Sequence, residues 1–401
     1  MAATLVGIRE RRRTLGGFAA FGLFWGAWGA ILPAVRTEAR VSDGQLGAAL
    51  LMIGLGALLS MRFTGYLIDR YGGMVLPAAV LLFGLCGLLP ALASSAVTLG
   101  AALFLLGATS GAFDVAINAT GSHAEALTER PLMNLAHGVF SVAVVLASLG
   151  TAGLRQAGAG VLPVLGGVLA LIAAIAVVLL LPGSVAGSVT RSRNPSARTA
   201  SRDGRPKQKL EPALLVFGGV CALAYLVENA WQSWSAVHLD TSLGAAPALA
   251  SSAPAVFAAA AATGRFSGNA LLTRVRPVQL LITGGLVAAA GTGLAAAAGI
   301  AWVALVGIGI AGLGTSVCAP TIIGMAGAWA GPERRAGAIS TVTTIAYLGF
   351  LLGPAAVGAA SSAWSLPAAL GGVAVLAVLV ALLSPLAGRA AAPQAEQGRR
   401  G

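Results

Sequence analysis

Ionised side chains almost vanish from this 401-residue chain except in one basic stretch near its middle. Between 183 and 212 lie seven of the 25 basic residues (Arg191, Arg193, Arg198, Arg202, Arg205, Lys207 and Lys209), set among Ser, Pro and Gly. On both sides of it, apolar runs of about 20 residues, the length a helix needs to cross hydrocarbon, follow one another. They fall near 16–36, 45–63, 74–93, 97–122, 132–154 and 159–182, then near 212–237, 245–263, 278–298, 300–326, 336–360 and 364–387. Charged residues make up 9% of the chain, against about 25% in soluble domains. Water cannot surround such a chain, so the pattern predicts an all-α polytopic membrane protein with twelve transmembrane helices.

The two blocks echo each other. Arg62-Phe63-Thr64-Gly65 in the first is matched by Arg265-Phe266-Ser267-Gly268 in the second, Thr109-Ser110 by Thr315-Ser316, and Gly121 by Gly327. Such an echo indicates one six-helix unit used twice. The predicted organisation is a bundle at 1–182, a solvated basic linker at 183–211, a pseudo-symmetric bundle at 212–390, and a disordered tail at 391–401. A Ser/Pro/Arg linker has too little apolar surface to offset the entropy of ordering it. With loops assigned alternately, 22 basic residues fall on the linker's side of the membrane and three (Arg36, Arg40, Arg155) on the other. That asymmetry predicts a cytoplasmic linker and cytoplasmic termini, and it assigns the net charge of +12 to membrane topology, with no nucleic-acid partner. The run after Arg11-Arg12-Arg13 is read as an uncleaved first span, since its removal would break the six-plus-six repeat.

Cys86, Cys221 and Cys318 stand isolated in apolar runs, so neither a metal site nor a disulfide framework is expected. No nucleophile sits beside a base and no paired-aspartate motif occurs, so the chain is not expected to be an enzyme or to need a cofactor. Polar groups inside spans are costly and mark function. In the fourth span, Gly107, Gly111, Asp114, Asn118, Gly121 and Glu125 share one helical stripe. The same spacing aligns Asn134, His137, Ser141, Ser148 and Thr151 in the fifth, and Cys221, Tyr225, Glu228, Gln232 and Ser235 in the seventh. Matched antiparallel rise across the fourth and fifth spans would set Asn118 opposite His137 and Asp114 opposite Ser141.

The second span ends in Gly65, Leu67, Asp69, Arg70 and Gly72, which resembles the G-x-L-x-D-R-x-G-R signature of the major facilitator superfamily of secondary transporters. Duplicated halves and a central loop resemble it too. Within that superfamily the chain is similar to bacterial permeases grouped with the fucose–proton symporter. The likeness lies in Asn118-Ala119-Thr120-Gly121, Arg130-Pro131-Leu132-Met133 before His137-Gly138, Glu228-Asn229-Ala230 through Trp234-Ser235-Ala236, and Tyr347 through Pro354. It departs from the pattern at Gly73, Asn229, Ser233 and Asn269. The resemblance implies a monomer in the bacterial cytoplasmic (inner) membrane, and the scarcity of lysine beside abundant Arg, Ala and Gly fits a GC-rich bacterial genome. It also implies a cavity lined by spans 1, 4, 7 and 10, and a gating loop of Gly65, Asp69, Arg70, Gly72, Arg265 and Gly268. Leu272 stands at the second-half position of Asp69, so the latch should be one-sided.

The resulting expectation is a proton-coupled secondary transporter, a symporter of a sugar-like solute. The alternatives are a proton antiporter exporting amphipathic compounds, or a channel or scaffold. Asp114 and Glu228 are the two acids well inside predicted spans, and with His137 they are the proton-coupling candidates. Trp28, Asn118, Gln232, Trp231 and Trp234 are the candidates for solute contact. The partners are then a small molecule, protons and the lipid bilayer. The competing reading makes both acids structural clamps.

Overall fold

The computed structural model describes residues 2–128, 132–180, 211–271 and 274–391. The segment 181–210, Arg130, Pro131, Leu272 and the tail from 392 lie outside the described residues, as do the side chains of Asn134 and Asn269. All regular structure among the described residues is helical. The first half holds α1 (Ala2–Glu38), α2 (Asp43–Tyr71), α3 (Val75–Leu88), α4 (Ala96–Thr128), α5 (Met133–Gln156) and α6 (Val161–Leu180). The second holds α7 (Pro212–Val237), α8 (Pro247–Leu271), α9 (Pro277–Ala297), α10 (Ala301–Thr315), α11 (Cys318–Ala363) and α12 (Leu366–Ala391).

Helix α11 breaks at Gly331, with φ 72° and ψ 172°, a backbone conformation that only glycine adopts without strain. The part before the break extends α10 into a tenth span, Ala301–Gly331, and the part after it forms the eleventh, Gly337–Ala363. Among the described residues nine stretches are long and apolar enough to cross a membrane, and one of these, the 50-residue Asp43–Leu92, contains both α2 and α3. Together with α6 and the more polar α8 this gives the twelve spans expected of the sequence, six in each half.

Local chemistry sets the helix boundaries. Ser42 and Gln45 cap α2 reciprocally: the Gln45 amide donates to Ser42 Oγ at 3.3 Å and the Ser42 amide donates to Gln45 Oε1 at 2.9 Å. Proline opens α7 and α9 at positions whose N–H groups would have no helical partner. Glu125 accepts hydrogen bonds from the amides of Leu132 (2.5 Å) and Met133 (2.8 Å), so the last polar member of the α4 stripe caps the start of α5.

Small residues then let helices cross closely, the usual device where lipid removes the hydrophobic incentive to associate. Gly107 of α4 lies against the backbone of Ile53 on α2, and Gly312 of α10 lies against the backbone of Phe257 on α8. The crossing of the second and fourth spans thus recurs as that of the eighth and tenth, which is the duplication expressed as packing.

The connectivity gives the molecule two faces. One carries the end of α6, the start of α7 and the turn between α2 and α3, and is called the linker face here. The opposite, far face carries the turns after α1, α5, α7, α9 and α11.

Candidate functional site

A cavity of about 400 Å³ lies between the two halves, within the range of small-molecule sites. Its walls come from α1, α2, α4 and α5 on one side and from α7, α8 and α11 on the other. The expected first, fourth and seventh spans are there. The tenth is not: no residue of Ala301–Gly331 lines the cavity, and α8 and α11 complete the second-half wall. The tenth span instead spends its small residues on packing against α8 and α9, as at Gly312 and Gly314.

The first half contributes Asp114 and Ser141 to the wall, together with Phe21, Trp25, Trp28 and Phe140. Asp114 and Ser141 therefore border one compartment. Asn118, one turn further along α4, does not line the cavity but donates through Nδ2 to the Asp114 carbonyl at 2.9 Å and to its Oδ1 at 3.0 Å. Among the described residues no cationic side chain pairs with Asp114. Trp28 is buried and stacks on Phe24, with ring centroids 6.3 Å apart. His137 is off the lining, exposed, and set edge-on to Phe18 at 4.8 Å. Another stripe member serves packing, since Ser148 donates to the Gly26 carbonyl at 2.8 Å and joins α5 to α1.

The second half contributes Glu228, Asn229, Gln232, Ser233, Arg265 and Tyr347. Glu228 is buried, forms an ion pair with Arg265 at 2.7 Å, and accepts a hydrogen bond from Gln232 Nε2 at 3.2 Å. Asn229 donates to the Phe350 carbonyl. Arg265, expected in a gating loop, is thus a cavity residue. Helix α8 runs without interruption to Leu271, which keeps Arg265 on its cavity side. A helix continuing past the apolar run at 245–263 was the one sequence signal for this placement. Its neighbour in the motif, Gly268, packs α8 against Val317.

Trp231 and Trp234, the other candidates for solute contact, are fully buried and absent from the cavity lining. Their indole nitrogens donate to Thr292 Oγ1 at 2.9 Å and to the Pro354 carbonyl at 3.2 Å. At about 100° per residue they lie off the stripe of Glu228 and Gln232, and they bind α7 to α9 and α11. Ser235, on the stripe itself, is buried with no hydrogen-bond partner for its hydroxyl among the described residues.

The gating residues of the first half sit at the linker end of α2. Asp69 is exposed and has no polar partner among the described residues, while Arg70 donates to the hydroxyls of Tyr71 (3.2 Å) and Tyr66 (3.5 Å). Gly72 ends α2 with φ 58°, and a side chain at Gly65 would meet nothing within 4 Å. At the far end of the same helix, Asp43 accepts from Arg36 Nε at 2.6 Å and from Ser361 Oγ of α11 at 2.5 Å, a hydrogen bond that joins the two halves. No sequence motif pointed to Asp43 as an inter-half contact. Among the described residues no group of His, Cys, Asp and Glu could hold a metal ion.

A family model for the Major Facilitator Superfamily matches residues 216–400. The chain is 31% identical over 379 residues to an uncharacterized MFS-type transporter of Yersinia pestis, covering 94% of this chain and 95% of that one. It is 30% identical to an uncharacterized transporter of Sinorhizobium fredii, covering 94% of this chain and 97% of the relative. The fold is that of the crystal structure of a nucleoside transporter, NupG, with a TM-score of 0.73 at 12% identity over 95% of this chain and 99% of that one.

Proposed function

The chain belongs to the Major Facilitator Superfamily and is a multi-pass membrane transporter of that type, and from this premise we propose a proton-coupled carrier that works by alternating access. One observation carries the proposal: each half brings one acid, Asp114 or Glu228, to a single cavity between the halves. A carboxylate without a cationic partner, held away from water, is suited to taking up and releasing a proton as access alternates. Asp114, held by Asn118, is the proton-coupling residue. Glu228, held by Arg265 and Gln232, belongs to the solute-binding wall with Trp28.

The excess of basic residues on the linker's side supports a cytoplasmic linker face in a bacterial inner membrane. Contact between the halves at the far face then corresponds to an inward-facing state of a monomeric carrier. The bundle boundaries at 182 and 212 follow from the same reading. Reporter fusions after Gly187 and at the C-terminus are both expected to read cytoplasm.

For the solute, the donors are informative. The amides of Gln232 and Asn229 each give one N–H to the protein, to Glu228 and to the Phe350 carbonyl, which leaves fewer donors for a hydroxyl-rich, sugar-like molecule. Aromatic walls from Phe21, Trp25, Phe140 and Phe350 support an amphipathic solute exchanged for protons, in preference to sugar symport.

The test is Asp114→Asn in proteoliposomes. The substitution should abolish pH-driven accumulation, because the amide that replaces the carboxyl takes up and releases no proton. Full proton-driven uptake in Asp114→Asn would move coupling to Glu228 or His137. Flux that rises linearly with concentration, without counterflow, would indicate a channel.

A further inference from the structure

The charges in the cavity do not balance in a symmetric way. Its one lining cation, Arg265, is taken by Glu228 at 2.7 Å. Asp114 faces the same space with Asn118 as its hydrogen-bond donor and no cation among the described residues. An ionised carboxylate on a wall of low polarity calls for a positive charge opposite it, and none of the described residues supplies one. The same half lines the cavity with aromatic rings, whose negative faces attract cations. Phe21 lies 5.2 Å from Phe113, the residue before Asp114, and 5.9 Å from Phe140, with Trp25 at 6.1 Å. Phe21, Trp25 and Phe140 all border the cavity.

From this arrangement we infer that the transported solute is an organic cation, an amine-bearing molecule with an apolar or aromatic body. Its ammonium group sits against Asp114 and its body against the rings of Phe21, Trp25 and Phe140. The inference rests on the cavity being the solute site, as proposed above, and adds the chemical class of the solute. Size agrees, because about 400 Å³ accommodates one drug-sized molecule. The division of labour agrees as well: Glu228 is satisfied internally and leaves Asp114 as the unmet charge.

The experiment uses the purified full-length chain in detergent and a matched pair of probes, 4-phenylbutylamine, protonated at neutral pH, and the neutral 4-phenylbutan-1-ol. Binding is read by calorimetry and by tryptophan fluorescence. The amine is expected to bind at least about tenfold more tightly than the alcohol, the scale of one desolvated charge contact. Asp114→Asn should erase that preference by bringing the affinity for the amine down to that for the alcohol. Asp114→Glu, which keeps the charge, should retain it, and it takes over as the informative variant if Asp114→Asn does not fold.

Equal affinity for the two probes, no amine binding, or an amine preference that survives Asp114→Asn would overturn the inference. Ser141→Trp, which fills the cavity from α5, separates this failure from that of the underlying reading. If Ser141→Trp abolishes binding of both probes, the cavity reading stands and only the cation inference is at stake. If both probes still bind, the solute site lies elsewhere and both readings fall.

Discussion

The two ends of α2 meet the opposite half of the molecule in different ways. At the far end a Cβ on Gly358 of α11 would come within 2.6 Å of the Asp43 carbonyl oxygen, and Ser361 donates to the Asp43 carboxylate. At the linker end Gly65 has open space beside it, and Asp69 is exposed without a polar partner among the described residues. Both ends of α2 carry an acid and a glycine, Asp43 with Gly47 and Asp69 with Gly65, but only the far pair meets the other half. The unused pair lies on the family's loop signature, the used pair on no motif at all. In a two-state carrier, as proposed above, the contacts made in one state are those given up in the other, so the proposal expects Asp69 to find its partner in a conformation with the linker face closed and the Asp43 clasp broken.

The sharpest way to break this asymmetry is Gly358→Leu. A side chain there has backbone as its nearest neighbour, and overpacking of that kind costs about 1–3 kcal/mol. All of it falls on the state with the far face closed, and that shifts a two-state balance by roughly 5- to 150-fold. Labelling of a cysteine placed at the buried Ser361, compared with and without Gly358→Leu, should accelerate accordingly and solute accumulation should fall. Unchanged labelling would mean that the α2–α11 seam does not open during transport.

Asp43→Ala should act in the same direction but more weakly. It removes one partly buried ion pair with Arg36 and one hydrogen bond from Ser361, a shift of up to about tenfold. An equal response to Asn at the same position would assign the effect to the charge; a milder response would assign it to the inter-half hydrogen bond.

The smallest effect is expected of Asp69→Ala. With no partner to lose here, it can stabilise the present state only by weakening the other, by about two- to fivefold if its contact there is an exposed one. Cysteine accessibility at the linker face should rise while solute affinity changes no further than that shift requires. No change in accessibility would remove Asp69 from gating.

The membrane class, the twelve spans and the duplication were legible in the sequence because hydrocarbon imposes a length on every apolar run and punishes every charge placed within one. Helical periodicity also brought Asp114, Glu228 and Gln232 to the faces that border the cavity. It did not reveal that Trp231 and Trp234, candidates for solute contact, turn their indole nitrogens to Thr292 and the Pro354 carbonyl. It failed too for Arg265, read as a loop residue until its partner 37 positions away became visible, and for Asp43, whose partner Ser361 lies 318 positions along the chain. Periodicity determines which residues share a face; only the tertiary structure decides which face meets which. In a membrane that decision is hidden from sequence for a physical reason. Lipid tails are as apolar as the protein interior, so an apolar stripe reads the same whether it faces lipid, a neighbouring helix or the wall of a cavity.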